Sequence, residues 1–249
     1  MNALHVACVG YTGPRRRYWQ AVDTLELTDR DLAAKPATLR RWRSEAPAHA
    51  RFVVRVDPGL VAAGFAGPEA DAAWARTREV AALLDADTLL LRTPPSFRPT
   101  AANREALRAF FAAHRGDFTV AWWADGLWES QPEDRDAVCA AAGLLPVADP
   151  LADDDEELPE GPTVYWRVRG RVGMGGRLSD DDLDRLCGLA SERAGGHLVF
   201  DAPTMMNDAR RFATLQGLDL DVDDDAGDDD EDLDDDDLDD PGDEDEDED

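Results

Sequence analysis

Charged side chains interrupt otherwise apolar runs at six positions of this 249-residue chain. They are Glu26 in "TLEL" (24–27), Arg55 in "RFVVRV" (51–56), Arg92 in "TLLLRT" (88–93), Arg167 and Arg169 in "TVYWRVRG" (163–170) and Asp201 in "HLVFDA" (197–202). A lone charge bounded by Val, Leu or Phe is not part of a solvated face, and an ion taken out of water persists only with a partner or a ligand. Guanidinium groups offer a planar fork of donors that grips a carboxylate or phosphate in two bonds. Arg55, Arg92, Arg167 and Arg169 are thus the candidate site for a small anionic ligand, a phosphorylated one included, with Asp201 beside them and Glu26 as the acid–base candidate. The opposing expectation is an internal salt-bridge network that only fills space. Trp123, the second of two adjacent tryptophans in "FTVAWWADGLWE" (118–129), stands either as a stacking platform for a ligand or as a packing plug.

After Arg169 comes "GRVGMGGRLSD", in which Gly173, Gly175, Gly176 and Arg177 form a candidate phosphate loop, since backbone N–H groups approach an anion closely where glycine leaves no side chain in the way. A plain flexible turn is the competing reading, because no recognised phosphate-loop spacing is present. His5, His49, His114 and His197 have no Cys or carboxylate at ligand spacing, so no metal site and no cofactor are expected. No nucleophile elbow, dinucleotide fingerprint or Cys/His pair occurs. "PRRRYW" (14–19) mixes cations with aromatics as nucleic-acid contacts do, but the strongly acidic chain argues against that partner.

Positioning these groups requires elements. Eight runs read as strands: residues 4–10, 24–27, 51–56, 88–93, 118–123, 144–149, 163–170 and 197–202. Helical patterns cover 38–46, 69–86, 100–114, 132–142, 179–193 and 207–216, with Trp74, Val80, Leu83 and Leu84 as an apolar stripe and Ser179 and Asp182 in a capping arrangement. Between the sixth and seventh strands the acidic "LADDDEELPEGP" takes the place of a helix. The alternation predicts an α/β fold, a (β/α)8 TIM-type barrel with one helix missing, and an open doubly wound sheet is the alternative. In such a barrel the carboxyl ends of the strands carry function, and a period of two turns all six charges toward one mouth.

The formal net charge of −29 is concentrated: residues 219–249 hold 23 of the 55 acidic side chains and no basic one, so residues 1–218 carry 32 acids against 26 bases. The chain is expected to divide into a barrel over 1–218 and a disordered Asp/Glu-rich tail over 219–249, which offers a surface for a basic protein partner. Three widely spaced cysteines, Cys8, Cys139 and Cys187, and the lack of a long apolar run point to a reduced cytoplasmic setting with no membrane partner.

Several stretches together resemble the domain-of-unknown-function 72 (DUF72, YecE-like) family in its shorter archaeal-type form. They are "VDTLEL", "PATLRRWRSEAP", "RFVVRV", "AWARTREVAALLDADTLLLRTPPSFRPTAANREALRAFF", "VADPL", "YWRVRG" with "LSDDDLDRL", and "VFDAPTMMNDARRF", in order across residues 4–216. The resemblance implies a (β/α)8 barrel whose activity is undefined, and it implies a degenerate site. A Trp-Glu-Pro-Arg-Gly pattern after strand five is here Trp122-Trp123-Ala124-Asp125-Gly126, an Arg-x-His-Gly is Arg167-Val168-Arg169-Gly170, and the polar pair after Phe200 is Asp201-Ala202. Arg55 stands for a lysine, Arg92 for a glutamine, and Asp29-Arg30-Asp31-Leu32 for a Ser/Thr-Phe-Tyr segment. These residues do not decide between an enzyme and a protein that binds without turnover. The alternative to a ligand-binding barrel is a non-catalytic scaffold whose acidic tail recruits a basic partner.

Overall fold

The computed structural model describes residues 3–11, 13–114, 116, 118–152, 158–170 and 177–218. Eight parallel strands close into a barrel in chain order: β1 Ala3–Val9, β2 Thr24–Glu26, β3 Arg51–Arg55, β4 Thr88–Thr93, β5 Thr119–Ala124, β6 Leu145–Ala148, β7 Thr163–Val168 and β8 Gly195–Phe200, with β8 pairing back to β1. The helices are α1 Arg15–Trp19, α2 Pro36–Glu45, α3 Gly59–Ala62, α4 Gly67–Leu84, α5 Ala101–Ala113, α6 Pro132–Ala142, α7 Asp180–Ser191 and α8 Met205–Leu215. This is a TIM-type (β/α)8 barrel. Among the described residues no helix lies between β6 and β7. The α1 turn was not in the helical pattern; its Tyr18 and Trp19 are buried, so the "PRRRYW" stretch presents its aromatics to the core rather than to a partner.

Strand register explains why the two faces differ. Outward residues such as Leu25, Phe52, Val54, Leu89, Leu91, Trp122, Trp166 and Phe200 join one large apolar core beneath the helices. The inward set includes a small apolar cluster of Ala7, Val53, Leu90, Ala121, Val147, Tyr165 and Val199. The adjacent tryptophans are thereby sent apart. Trp122 is fully buried outside the barrel, donating to Thr93 Oγ1 at 3.0 Å and packing edge-on against Trp128, whereas Trp123 faces inward. Trp74, Val80, Leu83 and Leu84 of α4 all pack on the core as expected, Val80 and Leu83 only partly buried, and a further buried stripe of Ala70, Ala73, Thr77 and Ala81 faces the barrel beside them. Small residues define that stripe because the helix must lie close to the sheet, which a scan for large apolar side chains overlooks. Ser179 and Asp182 form the expected reciprocal capping box at the start of α7.

Two glycines fix close approaches. Gly196 (φ +123°) lies against β7, where an added Cβ would stand 1.9 Å from the Val164 carbonyl oxygen. Gly126 (φ +75°), just after β5, lets the chain press on Pro95, whose Cα would be 2.9 Å from a Cβ there. No described helix is long and apolar enough to cross a membrane.

Candidate functional site

At the carboxyl ends of the strands the inward positions become polar, and Glu26 is their centre. Its carboxylate is fully buried. It accepts from Arg167 Nη1 at 2.7 and 2.6 Å on its two oxygens, from Arg55 Nη2 at 3.1 Å and from the Tyr165 hydroxyl at 2.6 Å. Burial alone pushes its pKa up, but the charges of Arg167 and Arg55 and the bonds from Arg167 and Tyr165 outweigh that, leaving Glu26 below the usual carboxylate range. The same burial pushes the Tyr165 phenol well above its ordinary value. Glu26, expected as the acid–base group, is therefore held as an anion at neutral pH.

From this centre the network spreads outward. Arg167, itself buried, also holds Asp201 Oδ2 through Nη2 at 2.9 Å and Nε at 3.1 Å. Arg55 reaches Asp29 Oδ1 through Nη1 at 3.2 Å, and its Nε is buried with no hydrogen-bond partner. Arg92, half-exposed, pairs with Asp125 Oδ2 through Nη2 at 3.0 Å and Nε at 3.1 Å. Trp123 links the two halves: the guanidinium carbons of Arg92 and Arg167 stand 4.3 and 4.1 Å from its ring centroid. Such cation–π contacts contribute on the order of 0.5–2 kcal/mol each and fix the indole as the wall between them.

Arg169 is the member of the arginine set that lies apart. It pairs with Glu129 at 2.9 Å and Asp149 at 3.5 Å, over a cavity of about 40 Å³ beside Trp123 that also meets Arg135 and Arg167. Its side chain makes no described bond to Glu26. Gly173, Gly175 and Gly176 of the candidate phosphate loop lie outside the described residues, and Arg177 is exposed ahead of α7.

The larger opening lies between the ends of β3 and β4, a groove of about 750 Å³. Arg55, Arg92, Asp29, Asp125 and Asn103 supply its polar atoms, and Val56, Val61, Leu90, Pro94, Pro95 and Phe97 its apolar walls. That is within the range of about 300–1,000 Å³ typical of small-molecule sites. Asp29, Asp125 and the "PPSF" turn were not in the expected site. Asp125 was legible in principle, being the next inward position after Ala121 and Trp123, as Asp149 is after Val147; the groove wall carried no charge pattern to mark it.

At the amino end of the barrel His197 is buried beside Tyr165 and His5, with Nε2 3.3 Å from Thr88 Oγ1 and Nδ1 unpartnered. Burial, then the neighbouring His5, lowers its pKa to about 4. Among the described residues no group of three or more His, Cys, Asp or Glu is placed to hold a metal ion.

Solved structures share this architecture. A DUF72 family protein of Enterococcus faecalis V583 matches with a TM-score of 0.65 at 14% identity, over 87% of this chain and 98% of its own. A second, from Thermotoga maritima MSB8, matches with a TM-score of 0.60 at 14% identity, over 86% and 100%. The chain has the fold of the DUF72 family proteins. Endonuclease IV of Thermus thermophilus also matches, with a TM-score of 0.53 at 12% identity over 86% and 99%, so the barrel type is shared beyond the DUF72 proteins. No protein-family model and no curated protein matches the sequence.

Proposed function

We propose that this DUF72-type barrel binds a small acidic molecule, a carboxylate or phosphate ester, in the groove beside Arg55 and Arg92. The observation that carries the reading is the pair of guanidinium groups, Arg55 and Arg92, that line one groove large enough for a ligand. Two guanidinium groups on one groove offer an acid charge-assisted hydrogen bonds, which are about twice as strong as neutral ones. In this reading Glu26 is a positioning residue that aims Arg55 and Arg167, and the altered positions at Trp123 and Arg169 replace the acid–base groups that the DUF72 resemblance implied. Titration with inorganic phosphate tests it: a millimolar concentration raises the Tm of the wild-type chain, and Arg92→Ala weakens the effect while leaving the far-UV spectrum intact. Crystals grown in phosphate with no density within hydrogen-bonding distance of Arg55 or Arg92, together with an unmoved Tm, overturn it.

The charge distribution favours one second reading, a scaffold recruiting a basic protein, because residues 219–249 concentrate 23 acidic side chains. A chain ending at residue 218 separates the two. It keeps phosphate binding under the first reading and loses a salt-sensitive protein partner under the second.

A further inference from the structure

We infer that Asp29 occupies the place of the ligand's acidic group, so that binding at the groove is an exchange of one carboxylate for another acid; this rests on the anion-binding reading above. Counted by formal charge the groove is neutral, because Arg55 and Arg92 face Asp29 and Asp125. An anion gains from such a site only if one carboxylate yields. The two differ in how firmly they are held.

Asp125 cannot readily leave. Its backbone N–H donates to the Thr93 carbonyl, its carboxylate takes both Nε and Nη2 of Arg92, and the next residue, Gly126, is pressed on Pro95. Asp29 can leave. Its side chain is 64% exposed, and its described bond is the single one to Arg55 Nη1 at 3.2 Å. The turn that carries it is fastened by other groups: Thr28 N–H and Oγ1 each donate to Asp31 Oδ2 at 2.7 Å. Asp29 can therefore swing into water without loosening the loop. Arg55 meanwhile keeps its Nη2 bond to Glu26, and its vacated Nη1 is available to an incoming acid. Arg92 and the apolar wall of Val56, Val61, Leu90 and Phe97 remain for the ligand's body. The ligand class is thus a small molecule with one acidic head and a compact apolar part.

The full-length chain is titrated with inorganic phosphate by calorimetry as wild type, Asp29→Asn, Glu129→Gln and Arg55→Lys. Asp29→Asn and Glu129→Gln each remove one negative charge at the mouth, so their comparison isolates the role of Asp29 from general electrostatics. Asp29→Asn is expected to tighten phosphate binding roughly two- to fivefold, the worth of a half-exposed ion pair, with Glu129→Gln changing it less and Arg55→Lys weakening it. A phosphate-soaked crystal then shows Asp29 turned away from Arg55. Binding that Arg55→Lys weakens but Asp29→Asn leaves unchanged or poorer overturns the exchange and leaves the anion site standing. Equal gains from Asp29→Asn and Glu129→Gln also overturn it. Absence of phosphate binding in both wild type and Asp29→Asn, with both folded, overturns the anion site itself and the exchange with it.

Discussion

A carboxylate that accepts from two guanidinium groups and a phenol has its lone pairs spoken for, which is why Glu26 serves better as an anchor than as a proton carrier. Removing its charge leaves Arg55 and Arg167 buried and short of a partner. Glu26→Gln is expected to destabilise the barrel by about 3–5 kcal/mol, the usual cost of breaking a buried pair from one side, read as a shift of the urea midpoint with the slope unchanged. His197 sets the pH dependence at the opposite end. Its folded pKa of about 4 lies below the value near 6.5 of an unfolded histidine, so the unfolded chain takes up the proton first. Its contribution is whole above about pH 6.5 and is lost as the pH falls toward 4, by up to about 3 kcal/mol. Unfolding curves between pH 7 and 4.5 should show this loss, and His197→Gln should flatten it; a wild-type curve already flat there contradicts the assignment. Glu26, whose folded pKa is depressed, adds its own loss only at lower pH.

At the scale of elements, strand alternation made most of the mouth readable. Once "TLEL", "RFVVRV" and "TVYWRVRG" are strands, the period of two turns Glu26, Arg55 and Arg167 inward together, although residues 26 and 167 are 141 positions apart. The same rule separates Trp122 from Trp123. What alternation does not contain is the loops. The pairing of Arg169 with Glu129 rather than with the central carboxylate, the groove wall from "PPSF" and the place of Asp29 all depend on the paths of connections after β2, β4 and β5. The small-residue stripe of α4 escaped for a related reason, since close packing of helix on sheet selects alanine where amphipathic patterns seek large side chains. Gly126 shows how much one connection decides. Gly126→Ala forces a left-handed residue to carry a Cβ against the Pro95 backbone, so it is expected to cost more than the roughly 1–2 kcal/mol of the conformation alone. Because the shift would carry Asp125 with it, Arg92 should become more mobile, visible as increased hydrogen exchange at the β4 and β5 ends.

For the whole molecule, charge is distributed against the proposed ligand. A chain of formal charge −29 repels an approaching anion, and most of that excess lies in residues 219–249. A chain ending at 218, with 32 acids against 26 bases, is expected to bind inorganic phosphate more tightly than the full chain at about 10 mM salt. The difference should vanish near 1 M, where the screening length is roughly 3 Å. Titrations of both chains across that range check it; a gap that does not close with salt means the acidic segment acts by contact instead. The inner apolar layer of Ala7, Val53, Leu90, Ala121, Val147 and Val199 has a consequence of its own. It separates the histidine end from the arginine end except at Tyr165, whose ring lies 5.6 Å from that of His197 and whose hydroxyl donates to Glu26. Tyr165 thus ties the floor of the cylinder to its rim, so that a substitution of this one phenol is expected to be felt at both ends.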